Sequence, residues 1–178
     1  MASADTLIDT CCLVNLCAVD EPERILPRIP VTWYLARSVE REEISLRPRP
    51  DAARGERRRI DLAPCISSGI LRRCQPESEQ ERELYVSLTL EVDDGEAMPL
   101  AIAHVRKWGI ATDDAAAVAV AHRLGVWTMS TPELLRLWAG QTSATKQQIS
   151  QAIQRIESLA RFVPSTALIA ADWWDKHR

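Results

Sequence analysis

Short apolar runs alternate along this chain with stretches of helical spacing, and that alternation admits few folds. It is the pattern of βα units, in which helices join and cover the strands of a mostly parallel sheet, so the fold class is α/β. Thr6 to Asp9 reads as the first strand, leading into a helix from about Cys12 to Val19. Val31 to Glu40 fits either a helix or a strand followed by a helical turn. Glu77 to Leu90 is helical, with Leu84, Leu88 and Val92 spaced four apart. A helix over 94–107, a strand Ile110 to Thr112, a helix Ala115 to Leu124 stopped by Gly125 and a strand Val126 to Met129 follow. Ser130-Thr131-Pro132-Glu133 combines a capping-box spacing with proline in the first turn, a strong helix start. Thr145 to Val163 is amphipathic, and a last helix after Pro164 carries Leu168, Trp173 and Trp174.

The 178 residues, 46% of them hydrophobic, suffice for one domain with a real core, and a single domain over 1–178 is expected. Its least regular part is a basic insertion at about 47–80, broken by Pro48, Pro50, Pro64 and Pro76, with a short strand near Ile60 to Leu62. No apolar run approaches the roughly eighteen residues of a membrane span, and the N-terminus lacks the basic start of a secretory signal. The expectation is a cytoplasmic protein with no membrane partner. Five cysteines leave at least one unpaired and fit reduced thiols, with Cys11 and Cys12 packing as small hydrophobes. A structural zinc is not expected, because no CxxC pair or closely spaced Cys and His ligands occur.

The net charge is −3, yet residues 47–59 carry six arginines against two acids. Among these, Arg54, Arg57, Arg58 and Arg59 are candidates for contact with RNA phosphates, against the plainer reading of a solvated loop.

Acidic residues are the candidates for chemistry. Asp9 and the Asp113-Asp114 pair follow directly on predicted strands, where open α/β sheets bind ligands. Glu96 falls in the first turn of a helix, where the macrodipole favours a negative charge. Glu40 closes the Val31 to Glu40 element. Each alone reads as a cap, a turn former or a solvated charge. Together they repel one another unless hard cations such as Mg²⁺ or Mn²⁺ neutralise them, so the set suggests a metal site.

LIDTCCLVNL at 7–16, Val39-Glu40, the stretch from Asp93 to Val126 with its GEA and Thr-Asp-Asp elements, and Thr131-PELL are similar to the PIN-domain ribonucleases. Within them the likeness is in particular to the small VapC-like toxins of bacterial toxin-antitoxin pairs. The resemblance implies a PIN-like three-layer α/β/α sandwich and an acidic quartet, Asp9, Glu40, Glu96 and Asp114, holding Mg²⁺ or Mn²⁺. Thr-x-Asp spacing favours Asp114, while a Thr-Asp-Asp version lets Asp113 serve or assist as a metal ligand. Thr10, Asn15 and Thr112 match supporting polar positions. The implied activity is metal-dependent endoribonuclease cleavage of RNA phosphodiesters, with a cognate antitoxin as protein partner and a homodimer as the assembly. The chain departs from the family pattern in three places: Cys11 stands where Ser or Asn is common, Pro99 falls within a helix, and no Arg follows the aspartate pair. These departures support the alternative, a non-catalytic PIN-fold module that binds RNA or protein.

Overall fold

The computed structural model describes residues 4–40, 44–46 and 58–178. Strand β1 (Ala4–Ile8) buries Thr6, Leu7 and Ile8 in succession. A run buried on consecutive residues marks a strand covered on both faces. Helix α1 (Thr10–Val19) starts at Asp9, whose carboxylate accepts the Thr10 N–H, and α2 (Pro22–Ile25) leads through a 3₁₀ turn at Leu26–Arg28 into β2 (Val31–Ala36). The helical turn α3 (Arg37–Glu40) follows at once, so this ambiguous stretch is a strand with a helical turn behind it.

Strands β3 (Ser45–Leu46) and β4 (Arg58–Arg59) pair antiparallel as a ribbon apart from the main sheet. Helix α4 (Ala63–Ser67) and strand β5 (Leu71–Cys74) come next. Here the structure departs from the sequence reading: the short strand precedes Ile60, and a stretch expected to be irregular contributes a helix and an edge strand. The reason is visible in β5, where only Leu71 and Cys74 face inward and Arg72 and Arg73 lie exposed between them. Charged residues on a short edge strand are the usual protection against unwanted pairing, and they erase the apolar signal.

Helix α5 (Glu79–Leu88) opens on a reciprocal Ser78–Glu81 capping box. Helix α6 (Asp94–Arg106), β6 (Gly109–Ala111), α7 (Ala115–Leu124) and β7 (Thr128–Met129) follow the expected order. Gly125 ends α7 with φ 67°, a left-handed conformation that costs glycine little. Helix α8 (Thr131–Thr142) has the expected Ser130–Glu133 capping box. Helix α9 (Lys146–Arg155) runs on into a π turn at Ile156–Ala160, and α10 (Ala171–His177) closes the described chain. No helix among the described residues is long and apolar enough to cross a membrane.

The main sheet has the order β5-β2-β1-β6-β7 and all its pairings are parallel, with Leu7 opposite both Tyr34 and Ile110. Helix α6 packs on β1, β6, α5 and α7, whereas α1 packs with α2, α8 and α9, which gives a three-layer α/β/α sandwich. Because every strand runs the same way, the segments after β1, β2, β6 and β7 meet at one edge. Close to that core, the Trp127 ring lies where a Cβ on Gly109 would be, at 2.2 Å. Only glycine leaves that space for the ring.

Layer α5–α6 is tied by an ion pair between a buried carboxylate and a partly exposed arginine. Arg106 Nε donates to Glu81 Oε1 at 2.6 Å, and the Glu81 side chain is only 3% exposed. Burial alone would raise the Glu81 carboxyl, but Arg106 and the Ser78 and Glu77 N–H groups outweigh it and hold it at about 2. The same Arg106 guanidinium lies over the Trp108 ring, which stacks on Tyr34.

Candidate acidic and thiol site

Asp9 is placed by two elements at once. Its backbone N–H donates to the Ala111 carbonyl across the β1–β6 pairing, and its carbonyl accepts from Leu13 inside α1. Its Oδ1 accepts the Thr10 N–H at 2.6 Å, and its Oδ2 accepts the Thr112 hydroxyl at 3.0 Å. Thr112 in turn accepts the Asp114 N–H at 3.2 Å, so one threonine orients both the carboxylate after β1 and the backbone after β6. Asp114 caps α7, accepting the Ala117 N–H at 2.8 Å.

Glu96 occupies the third residue of α6. Burial raises its carboxyl, the charges of Asp114 and Asp9 add to the shift, and the result is about 7. That value places Glu96 in the electrostatic company of Asp9 and Asp114. Pro99, the sixth residue of α6, lies beyond the first turn and has no N–H for the Gly95 carbonyl, yet the helix continues to Arg106.

Asp113 turns to different partners. Its Oδ1 accepts the Thr131 N–H at 2.8 Å, and its Oδ2 accepts Asn15 Nδ2 at 3.1 Å, the Thr131 hydroxyl and the Cys12 thiol. Burial nonetheless keeps its carboxyl above the usual range, those hydrogen bonds opposing it. Asn15 also donates to Thr131 Oγ1 at 3.0 Å, which explains its burial inside α1. Asp113 thus fastens α1 to the start of α8, while Asp114 is the aspartate whose charge acts on Glu96.

The thiols lie between Asp9 and Asp113. Cys11 Sγ donates to Asp9 Oδ2 at 3.1 Å and accepts the Asp113 N–H at 3.5 Å; Cys12 Sγ donates to Asp113 Oδ2 at 3.3 Å. The ligand atoms of Cys11, Cys12 and Asp113 all lie within 4.8 Å of one another, a grouping able to hold a metal ion. Burial pushes the Cys12 thiol far up, with Cys11 and Asp113 adding to the rise. All five cysteines are free. Sequence spacing missed this group because its carboxylate comes from about a hundred residues away, and it missed Thr131 as a site residue although the capping box had placed a helix start there.

Glu40 is engaged elsewhere. Its Oε1 accepts Arg73 Nε at 2.8 Å, and the acids that raise Glu96 are Asp114, Asp9 and Asp93. The Glu40–Arg73 pair forms the wall between two open clefts, one of about 670 Å³ with Arg37, Gln75 and Glu77, the other of about 490 Å³ with Arg59, Asp61 and Ile66. Arg58 is held by Glu21 and by the Cys17 carbonyl, so of the two described phosphate-contact candidates Arg59 is the one that lines a cleft. Arg54 and Arg57 lie outside the described residues.

Fold and site together define an α/β/α sandwich that carries an acidic and thiol cluster at the carboxyl edge of its parallel sheet. No family model matches the chain, and no curated protein matches it.

The elevated Glu96 carboxyl has a measurable consequence. A carboxyl at about 7 in the fold against an ordinary 4.5 stabilises the folded chain fully below pH 4.5, and that contribution is lost as pH rises through 7. Metal-free protein is therefore expected to lose stability from about pH 4.5 to 8 relative to Glu96→Gln, as read from urea midpoints. Over the same window the affinity for Mn²⁺ should rise, because a ligand must shed its proton to bind. Parallel pH profiles for the wild type and Glu96→Gln would count against this account.

Proposed function

We propose that the chain is a metal-dependent ribonuclease of the PIN type, and the observation that carries the reading is the mutual pressure of Glu96, Asp114 and Asp9. Three hard oxygen donors, among which Glu96 keeps its proton up to about pH 7, form a set suited to Mg²⁺ or Mn²⁺. When bound, such an ion supplies Lewis-acid chemistry, activation of a water and neutralisation of charge on a phosphodiester. The chain's own residues provide orientation. Thr112 and the Thr10 N–H fix the two oxygens of Asp9, and the α7 cap fixes Asp114. Glu96 has the protonation range to exchange a proton near neutral pH. Arg59 and Arg37, which line the clefts on either side of the Glu40–Arg73 pair, offer positive charge to an RNA backbone. No histidine is required in this scheme, and a protein antitoxin covering the acidic edge would be the natural regulator of such an activity.

The test is incubation of the purified chain with a pool of structured RNAs in Mg²⁺, in Mn²⁺ and in EDTA, alongside Asp114→Ala. Cleavage that needs the metal and disappears in the variant is expected. Absence of cleavage by folded wild-type protein in both metals would overturn the nuclease reading and leave a binding module. Glu40, tied up by Arg73, is the observation that favours that second reading.

A further inference from the structure

We propose that Cys11, Cys12 and Asp113 form a second, softer metal site that takes Zn²⁺ or Cd²⁺, with its fourth position opening toward Asp9. Two observations carry this. The donor atoms come from two separate segments, the start of α1 and the loop after β6, and already lie within 4.8 Å of one another. Tetrahedral zinc with two sulfurs and carboxylate oxygens needs ligand atoms about 3.5–3.8 Å apart, so closing on an ion asks for shifts of about 1 Å or less. The hydrogen bonds mark where those ligands would be: Cys12 Sγ to Asp113 Oδ2 at 3.3 Å, and Cys11 Sγ to Asp9 Oδ2 at 3.1 Å. In both, a thiol proton lies between sulfur and carboxylate oxygen, and a metal would replace it, each thiol releasing its proton to solvent.

The surroundings suit a metal site. Asp113 is oriented by the Thr131 N–H and by Asn15, the kind of outer hydrogen bonding that fixes a ligating carboxylate. Cys11 is partly exposed and offers the way in, whereas Cys12 is fully buried. Thiolates select Zn²⁺ and Cd²⁺ over Mg²⁺, which prefers carboxylates and water. The two sites therefore differ in ion preference while meeting at Asp9. An ion between the thiols and Asp9 draws that carboxylate away from Glu96 and Asp114. On the nuclease reading, on which this consequence alone rests, Zn²⁺ is then an inhibitor.

The experiment uses the reduced full chain without RNA. Cd²⁺ is titrated in while the ultraviolet thiolate-to-cadmium charge-transfer band is followed, and Zn²⁺ is then added as competitor. A band that saturates at one equivalent and is displaced by Zn²⁺ is expected. Cys11→Ser, a half-buried and near-isosteric change, should weaken the affinity by at least about 10-fold. Asp113→Asn should weaken it similarly, and Cys65→Ser, on α4, should leave the band as it is. No band in the wild type, or a band that follows Cys65 instead of Cys11, overturns the site; circular dichroism checks that each variant is folded. Cleavage in Mg²⁺ alone is a separate readout, so failure of the nuclease reading leaves the cadmium result standing and the reverse holds too.

Discussion

Asp9→Asn is expected to reduce metal-dependent RNA cleavage by at least about 100-fold without unfolding the protein. Loss of an outer partner of a metal ligand already costs about 10–100-fold, and Asp9 is itself proposed as a ligand. The fold should tolerate the change, because the asparagine oxygen can still accept the Thr10 N–H and asparagine is among the best helix caps. Removal of the Asp9 charge also relieves Glu96, whose carboxyl should titrate lower than in the wild type. The variant thus separates two quantities: cleavage rate falls, while the stability of the metal-free chain at pH 8 holds or improves. Wild-type cleavage by Asp9→Asn would remove that residue from the mechanism.

The largest effect on stability is expected far from the cluster, at Arg106. Arg106→Met removes the cation that compensates Glu81, a carboxylate 3% exposed. Breaking a fully buried pair costs about 3–5 kcal/mol, and with Arg106 partly exposed the loss here should lie toward or below the low end of that range, still a sizeable part of the roughly 5–15 kcal/mol that holds a typical domain together. The urea midpoint at pH 7 should fall accordingly. Glu81 is held at about 2, so its contribution is present above about pH 4.5 and lost as pH falls through 2, and the deficit of the variant should shrink with acid. Glu81→Gln added to Arg106→Met should restore most of the loss, since an amide still accepts the Ser78 and Glu77 N–H groups without a charge to compensate. An unchanged midpoint in the single variant would show the pair to be dispensable.

What the sequence made legible follows from how local each signal was. Asp9 and Asp114 could be placed because each ends a strand and caps the helix that follows, and both roles are written within three or four neighbouring residues. The start of α8 was equally plain from Ser130 and Glu133. The hydrogen bonds of Asp113 were not legible, because its hold on Asn15 depends on β1 and β6 being neighbours and its hold on Thr131 on β6 and β7 being neighbours, which no local pattern encodes. The partner of Glu40 was hidden for a related reason. Arg73 belongs to β5, a strand with two exposed arginines at its centre, and an undetected strand cannot reveal what its side chains meet. Cys11 and Cys12 read as packing residues from their setting in an apolar helix, and Cys12 is indeed buried, but their thiols also bridge two carboxylates.

The pairing of β1 with β6 joins residues about a hundred positions apart, and Asp9, Thr112 and Asp114 come within reach of one another only through it. Closing so long a loop is entropically costly, and contacts of this separation form late and slowly when a chain folds. The cluster is therefore a product of completed folding. A nascent chain on the ribosome exposes Asp9 long before residues 109–114 emerge, so its carboxylates stay scattered until β6 has been made and has paired with β1.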